Sequence, residues 1–201
     1  MESAGVRKLA RALRVMVIVV FACNLIALLF VPFFVILQSA KISLASVGSD
    51  LLYGGDFFFD YVSPGGWWLV WYGFLFLTSF AEVWAESYTA VLTVFLWACG
   101  VCTAVILWQA KRVLDGILKG ETFTFANAAN MRRAAVCCFV ISGAALVRTV
   151  WGLIYYRSAL PLLSYNFLFV PVFLIAGLVC MVMSALFRQA AELKAENDLT
   201  I

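Results

Sequence analysis

Four stretches of the chain are apolar for long enough to cross a hydrocarbon core of about 30 Å, which takes about 20 residues of helix. They run from about Val15 to Leu37, Ser87 to Gln109, Ala134 to Tyr156 and Leu163 to Phe187. A fifth apolar run, Trp67 to Phe80, reads WWLVWYGFLFLTSF and is shorter. Runs of about 10–14 residues suit an interfacial or re-entrant segment better than a span. Its Trp67, Trp68, Trp71 and Tyr72 suit the headgroup layer. The pattern predicts an all-α membrane protein, a four-transmembrane-helix bundle read as a single domain. Its outer loop, 38–86, contains an interfacial helix that runs into the second span; an inner loop covers 110–133 and a tail 188–201.

Local signals sharpen the connections. Gly54-Gly55 and Pro64-Gly65-Gly66 mark turns in the outer loop. Val113, Leu114, Ile117 and Leu118 recur at helical spacing among Lys111, Arg112, Asp115 and Lys119, so the second span continues as an amphipathic turn or two. Gly120 fits the C′ position of that helix. Thr124 fits the N-cap of the next, which begins near Phe125. The inner loop is thus short and compact.

Composition agrees with the pattern. The chain is 65% hydrophobic and 12% charged, against about 45–50% and 25% in soluble domains. Charge placement sets the orientation. Arg7, Lys8, Arg11 and Arg14 precede the first span, and Lys111, Arg112, Lys119, Arg132 and Arg133 lie between the second and third. The first loop carries Lys41 against Asp50, Asp56, Asp60, Glu82 and Glu86. Basic segments belong in the cytoplasm, so both termini are expected there. The first span follows a basic flank, but its apolar run exceeds a usual signal-peptide core of about 7–15 residues. It reads as an uncleaved anchor.

Candidate chemistry is sparse. The absence of His removes the commonest general base and metal ligand, and no acid–base pair stands within the spans, so no enzymatic activity and no cofactor are expected. All six Cys fall in the inner halves of the spans. Cys99 and Cys102, one turn apart, are the seed of a soft-metal or redox cluster, or else small packing residues. No Cys lies in the outer loop, so no structural disulfide is expected. Arg148 is the one charge well inside a span, about 21 Å above Ala134. It is a functional candidate by position, although snorkelling one turn below Trp151 is the simpler account. Ala134, Cys138 and Ser142 form a small-residue row for close helix packing. Pro32 and Pro171 are sites for kinks in the first and fourth spans. Arg7, Arg11 and Arg14 fall near one helical face and would attract anionic lipid. The tail ends in Asp198-Leu199-Thr200-Ile201, with apolar residues a solvated segment does not need. The sequence leaves open whether it docks a partner, folds back on the inner loop or is disordered.

Gly120-Glu121-Thr122-Phe123-Thr124, followed by Asn127 and Arg132, resembles the hallmark of a bacterial membrane family known as domain of unknown function 2975. The ending Glu196-Asn197-Asp198-Leu199-Thr200-Ile201 is similar to that family's usual C-terminus. The resemblance extends over nearly the whole chain, the outer loop excepted. It implies a bacterial cytoplasmic membrane and no known catalytic residue. Because genes of the family often neighbour small helix-turn-helix regulators, it also implies a regulatory protein that tethers or antagonises such a partner without itself contacting nucleic acid. A transporter, channel or immunity protein using Arg148 is the alternative reading, and intramembrane thiol redox or metal handling the third. The oligomeric state stays open.

Overall fold

The computed structural model describes residues 2–39, 68–157 and 165–199. The acidic residues Asp50, Asp56 and Asp60, the Gly54-Gly55 and Pro64–Gly66 turns, and Thr200 and Ile201 lie outside the described residues. So do the side chains of Arg7, Trp68, Trp71, Tyr72, Asp198 and Leu199.

The described residues form five helices: α1 (Glu2–Ser39), α2 (Trp68–Glu82), α3 (Ser87–Lys119), α4 (Phe125–Tyr156) and α5 (Tyr165–Leu199). Four of them, α1, α3, α4 and α5, are long and apolar enough to cross a membrane, and α2 is the shorter apolar helix. The chain is a multi-pass membrane protein. Leu25, Leu29, Val101, Val140, Val147, Leu174, Ile175 and Leu178 stand exposed along these helices. In water such surface would be costly; in lipid it is the required exterior.

The helices run longer than the apolar pattern alone indicates. α1 starts at Glu2 and passes through Pro32, α3 continues to Lys119, and α5 passes through Pro171 to Leu199. The apolar run at 67–80 is helical but does not run directly into α3. Residues 83–86 form a turn, closed by Trp84 N–H to Ala81 O (3.2 Å) and Ala85 N–H to Glu82 O (3.0 Å). Thr89 Oγ1 stands 2.8 Å from Val83 O and 2.9 Å from Glu86 O, so its hydroxyl covers carbonyls left by the break.

The chain divides into two compact units, Ala27–Trp97 and Met1–Ile26 with Ala98–Ile201. In the former, Val35, Val83 and Leu92 form a buried cluster, with Val31, Ile36, Tyr88 and Leu96 packed on it. Phe76 meets Phe30 at 5.3 Å, Phe33 at 6.3 Å and Phe80 at 5.3 Å between ring centroids. Trp97 Nε1 donates to Leu28 O at 3.2 Å.

In the other unit, α4 and α5 pack against one another along their lengths. Ala134, Cys138 and Ser142, the small-residue row, are buried together with Ala135, Ile141 and Ala145. Ser142 Oγ donates to Val170 O at 2.9 Å, and Ser184 Oγ to Ala128 O at 2.8 Å. The two bonds hold the helices antiparallel. Between them Gly177 admits the Phe139 ring, since a Cβ there would stand 2.8 Å from Phe139 Cε1. α1 runs antiparallel to α3 in this unit, with Phe21 against Trp108 (5.8 Å) and Arg14 against Asp115 (2.8 Å).

Unfolding measured in bicelles separates these contributions. Ser142→Ala is expected to cost about 0.6 kcal/mol, the usual worth of an interhelical bond in lipid. Gly177→Ala is expected to cost about 1–3 kcal/mol, because an aromatic ring must leave its seat.

The basic end of the first and last helices

The candidate functional site is assembled where α1 begins, α3 gives way to α4, and α5 ends. Contacts within one unit bring these segments together: Arg14 with Asp115, Ser184 with Ala128, and Phe123 with Phe187 at 5.8 Å, edge to face. Lys8, Arg11, Arg112, Lys119, Arg132 and Arg133 are exposed here, while Arg14 gives its charge to Asp115. The Arg14 and Asp115 atoms meet as charges, without the alignment of a hydrogen bond. Both side chains are partly exposed, so the pair is worth about 0–1 kcal/mol and acts mainly to set register. Lys111 Nζ and the Arg112 guanidinium lie 5.0 and 5.8 Å from the Trp108 ring centre. An indole held between apolar neighbours and cations is the usual furniture of a membrane interface.

The turn from α3 to α4 is built from a short list of residues. Gly120, at φ 83, ends α3 in the left-handed conformation. Its N–H donates to Ile117 O (3.1 Å) and that of Glu121 to Gly116 O (3.0 Å). That is a Schellman closure. Thr124, extended at φ −133 and ψ 151, caps α4 by accepting from Asn127 N–H at 3.2 Å. Asn127, 4% exposed, then reaches back. Its Nδ2 donates to Glu121 O at 3.1 Å and Thr122 O at 2.9 Å. The amide rests on Gly116, where a Cβ would come within 2.8 Å of it. One side chain thus satisfies the carbonyls of a tight turn and fixes the angle at which α4 leaves α3. Glu121 and Arg132 are exposed, and Phe123 is partly covered by Phe187.

Residues 66–201 match a family model described as protein of unknown function (DUF2975). The chain belongs to the DUF2975 family. The match begins at Gly66, so α1 and residues 40–65 fall outside it, a narrower span than the motifs suggested. Comparison with curated proteins and with solved structures found no match. Of the motif residues singled out in the sequence, Gly120, Thr124 and Asn127 shape the turn, whereas Glu121 and Arg132 are exposed on it and Phe123 sets its edge against Phe187.

The other candidates fall elsewhere in the DUF2975 chain. Glu196 and Asn197 are exposed on the last turns of α5, beyond the Arg188–Glu192 ion pair (2.9 Å). From Glu192 to Asn197 every side chain is exposed, including Leu193 at 67%. Arg148 is half-buried on α4 and lies within electrostatic range of Cys99. Among the described residues, no group of three or more His, Cys, Asp or Glu is placed to hold a metal ion. Gly116 and the Arg14–Asp115 pair escape sequence reasoning; the only signal is a glycine inside an amphipathic helix, too common to single out.

Asn127→Asp keeps the size of the side chain but replaces the donor with an acceptor facing two carbonyls. It is expected to destabilise the protein by about 1–3 kcal/mol. Gly120→Ala is expected to cost about 1–2 kcal/mol through its left-handed backbone. Denaturant unfolding in mild detergent checks both; unchanged midpoints would contradict the turn described here.

Proposed function

We propose that the chain is a non-enzymatic regulatory protein of a bacterial cytoplasmic membrane, with both ends in the cytoplasm. There the α3–α4 turn and the end of α5 hold a small helix-turn-helix regulator. The observation that carries this reading is α5 itself. It stays helical through Leu199 and presents Leu193 without cover, beside Glu192, Lys194 and Glu196. An exposed apolar side chain framed by charge on a rigid helix is a docking element in the helix-in-groove manner.

Three things support it. The exposed cations at this end match the charge bias of cytoplasmic segments. The rigid turn holds α4, and through Ser184 α5, in one fixed arrangement, which limits the ordering cost of binding. The hydroxyls of Thr103 and Thr149 donate to Cys99 O and Ala145 O of their own helices. That leaves few polar groups to line a path across the bilayer, so a transporter or channel is less well supported.

The test is co-purification from detergent-solubilised membranes with a co-expressed helix-turn-helix regulator encoded beside the gene. The intact chain is expected to retain it. Leu193→Glu is expected to weaken association about tenfold or more, the worth of one buried leucine. No association with the intact chain would overturn the proposal.

A further inference from the structure

Two cations of α3 are gathered on one indole. Residues three and four apart share a helix face, and Lys111 and Arg112 both reach back to Trp108. The Lys111 Nζ lies 5.0 Å and the Arg112 guanidinium carbon 5.8 Å from the ring centre. Phe21 of α1 meets the same ring at 5.8 Å between centroids. One carboxylate stands a turn further along α3, within reach of either cation: that of Asp115. Arg14 of α1 takes it instead, at 2.8 Å. Among the described residues neither Lys111 nor Arg112 is in an ion pair. Two positive charges therefore stand together, ordered by a ring and not offset by an acid. Side chains already ordered lose less freedom on binding than mobile ones do.

Their place on the helix says what anion fits. Val101 and Trp108, two turns apart, are exposed on the lipid side of α3, at 54% and 42%. Arg112, one turn beyond Trp108, is exposed on the same side. A ligand of this surface has negative charge at the level of Lys111 and Arg112 and hydrocarbon at the level of Trp108 and Val101. We propose that Trp108, Lys111 and Arg112 form a site for one anionic glycerophospholipid. Its phosphodiester lies between the two cations, and an acyl chain runs along Trp108 and Val101. Basic pockets between membrane helices bind anionic headgroups in this way. Arg14 is a positioning residue: by holding Asp115 it keeps a carboxylate away from the phosphate. The site differs from the diffuse attraction of the basic flank of α1, because both its charges are fixed on one ring. This goes beyond the regulatory reading and does not depend on it.

The experiment uses the full-length protein, freed of lipid in a neutral detergent and titrated with phosphatidylglycerol or with phosphatidylcholine of the same chains. Native mass spectrometry counts the lipids retained. One phosphatidylglycerol is expected to bind at concentrations about tenfold or more below those phosphatidylcholine needs. Arg112→Gln is expected to weaken it about fivefold, and Lys111→Gln with Arg112→Gln about thirtyfold. Arg157→Gln, which removes one charge at the other end of α4, is expected to change nothing. Lys111→Arg with Arg112→Lys is expected to keep the preference. Arg14→Gln, which returns Asp115 to the cations, is expected to weaken binding, and adding Asp115→Asn to restore it. The intact chain decides the matter if variants fail to fold. Equal retention of the two lipids would overturn the proposal. So would equal losses for Arg157→Gln and Arg112→Gln, no recovery with Asp115→Asn, or equal retention of inorganic phosphate or glycerophosphoglycerol, which lack the chains.

Discussion

Hydrocarbon offers a peptide group no partner, so any backbone that enters it must close its own hydrogen bonds. Everything else in this chain follows from that constraint. It makes the spans helical, it turns apolar side chains outward to lipid, and it leaves packing and a few polar contacts to hold helix against helix. Two serine hydroxyls and a glycine seat for Phe139 fix α4 on α5. They are placed where small residues let the backbones approach. The same constraint explains Thr89, which covers carbonyls at the break between α2 and α3.

At the ends of the spans water returns and polar chemistry with it. The α3–α4 turn shows how few residues are needed: a left-handed glycine, a threonine cap and one buried asparagine whose amide fills the space a glycine leaves open. The resulting geometry sets where Arg132 and Arg133 point, and Phe123 links the turn to α5 through Phe187. The motif from Gly120 to Asn127 is in this sense largely an architectural one. Its exposed members, with the end of α5, are the part left over for recognition, and the proposed regulatory role rests on them.

The spans, their number and the two caps were legible in the sequence because each depends on local rules. An apolar run of sufficient length must be helical in lipid, and Gly120 and Thr124 sit at positions that backbone geometry reserves for them. The helix lengths were less legible. α1 and α5 continue through polar flanks, where hydropathy falls silent and helical propensity decides. The turn at 83–86 was missed because no Gly, Pro or Asn marks it and Val83, Trp84 and Ala85 carry the apolar run through the break. What Asn127 does depends on how neighbouring helices are rotated about their axes. Periodicity within one helix does not carry that information, so Gly116 looked like nothing.

The beginning of α1, the α3–α4 turn and the end of α5 meet within one unit, and the proposed function requires that they face the cytoplasm. A cysteine-free version carrying single cysteines at Ser63, Lys119 or Lys194, labelled in intact cells with a membrane-impermeant maleimide, tests both halves at once. The account predicts labelling at Ser63 alone, with Lys119 and Lys194 labelled only after the membrane is opened. Labelling of Lys194 from outside, with or without Lys119, would contradict it.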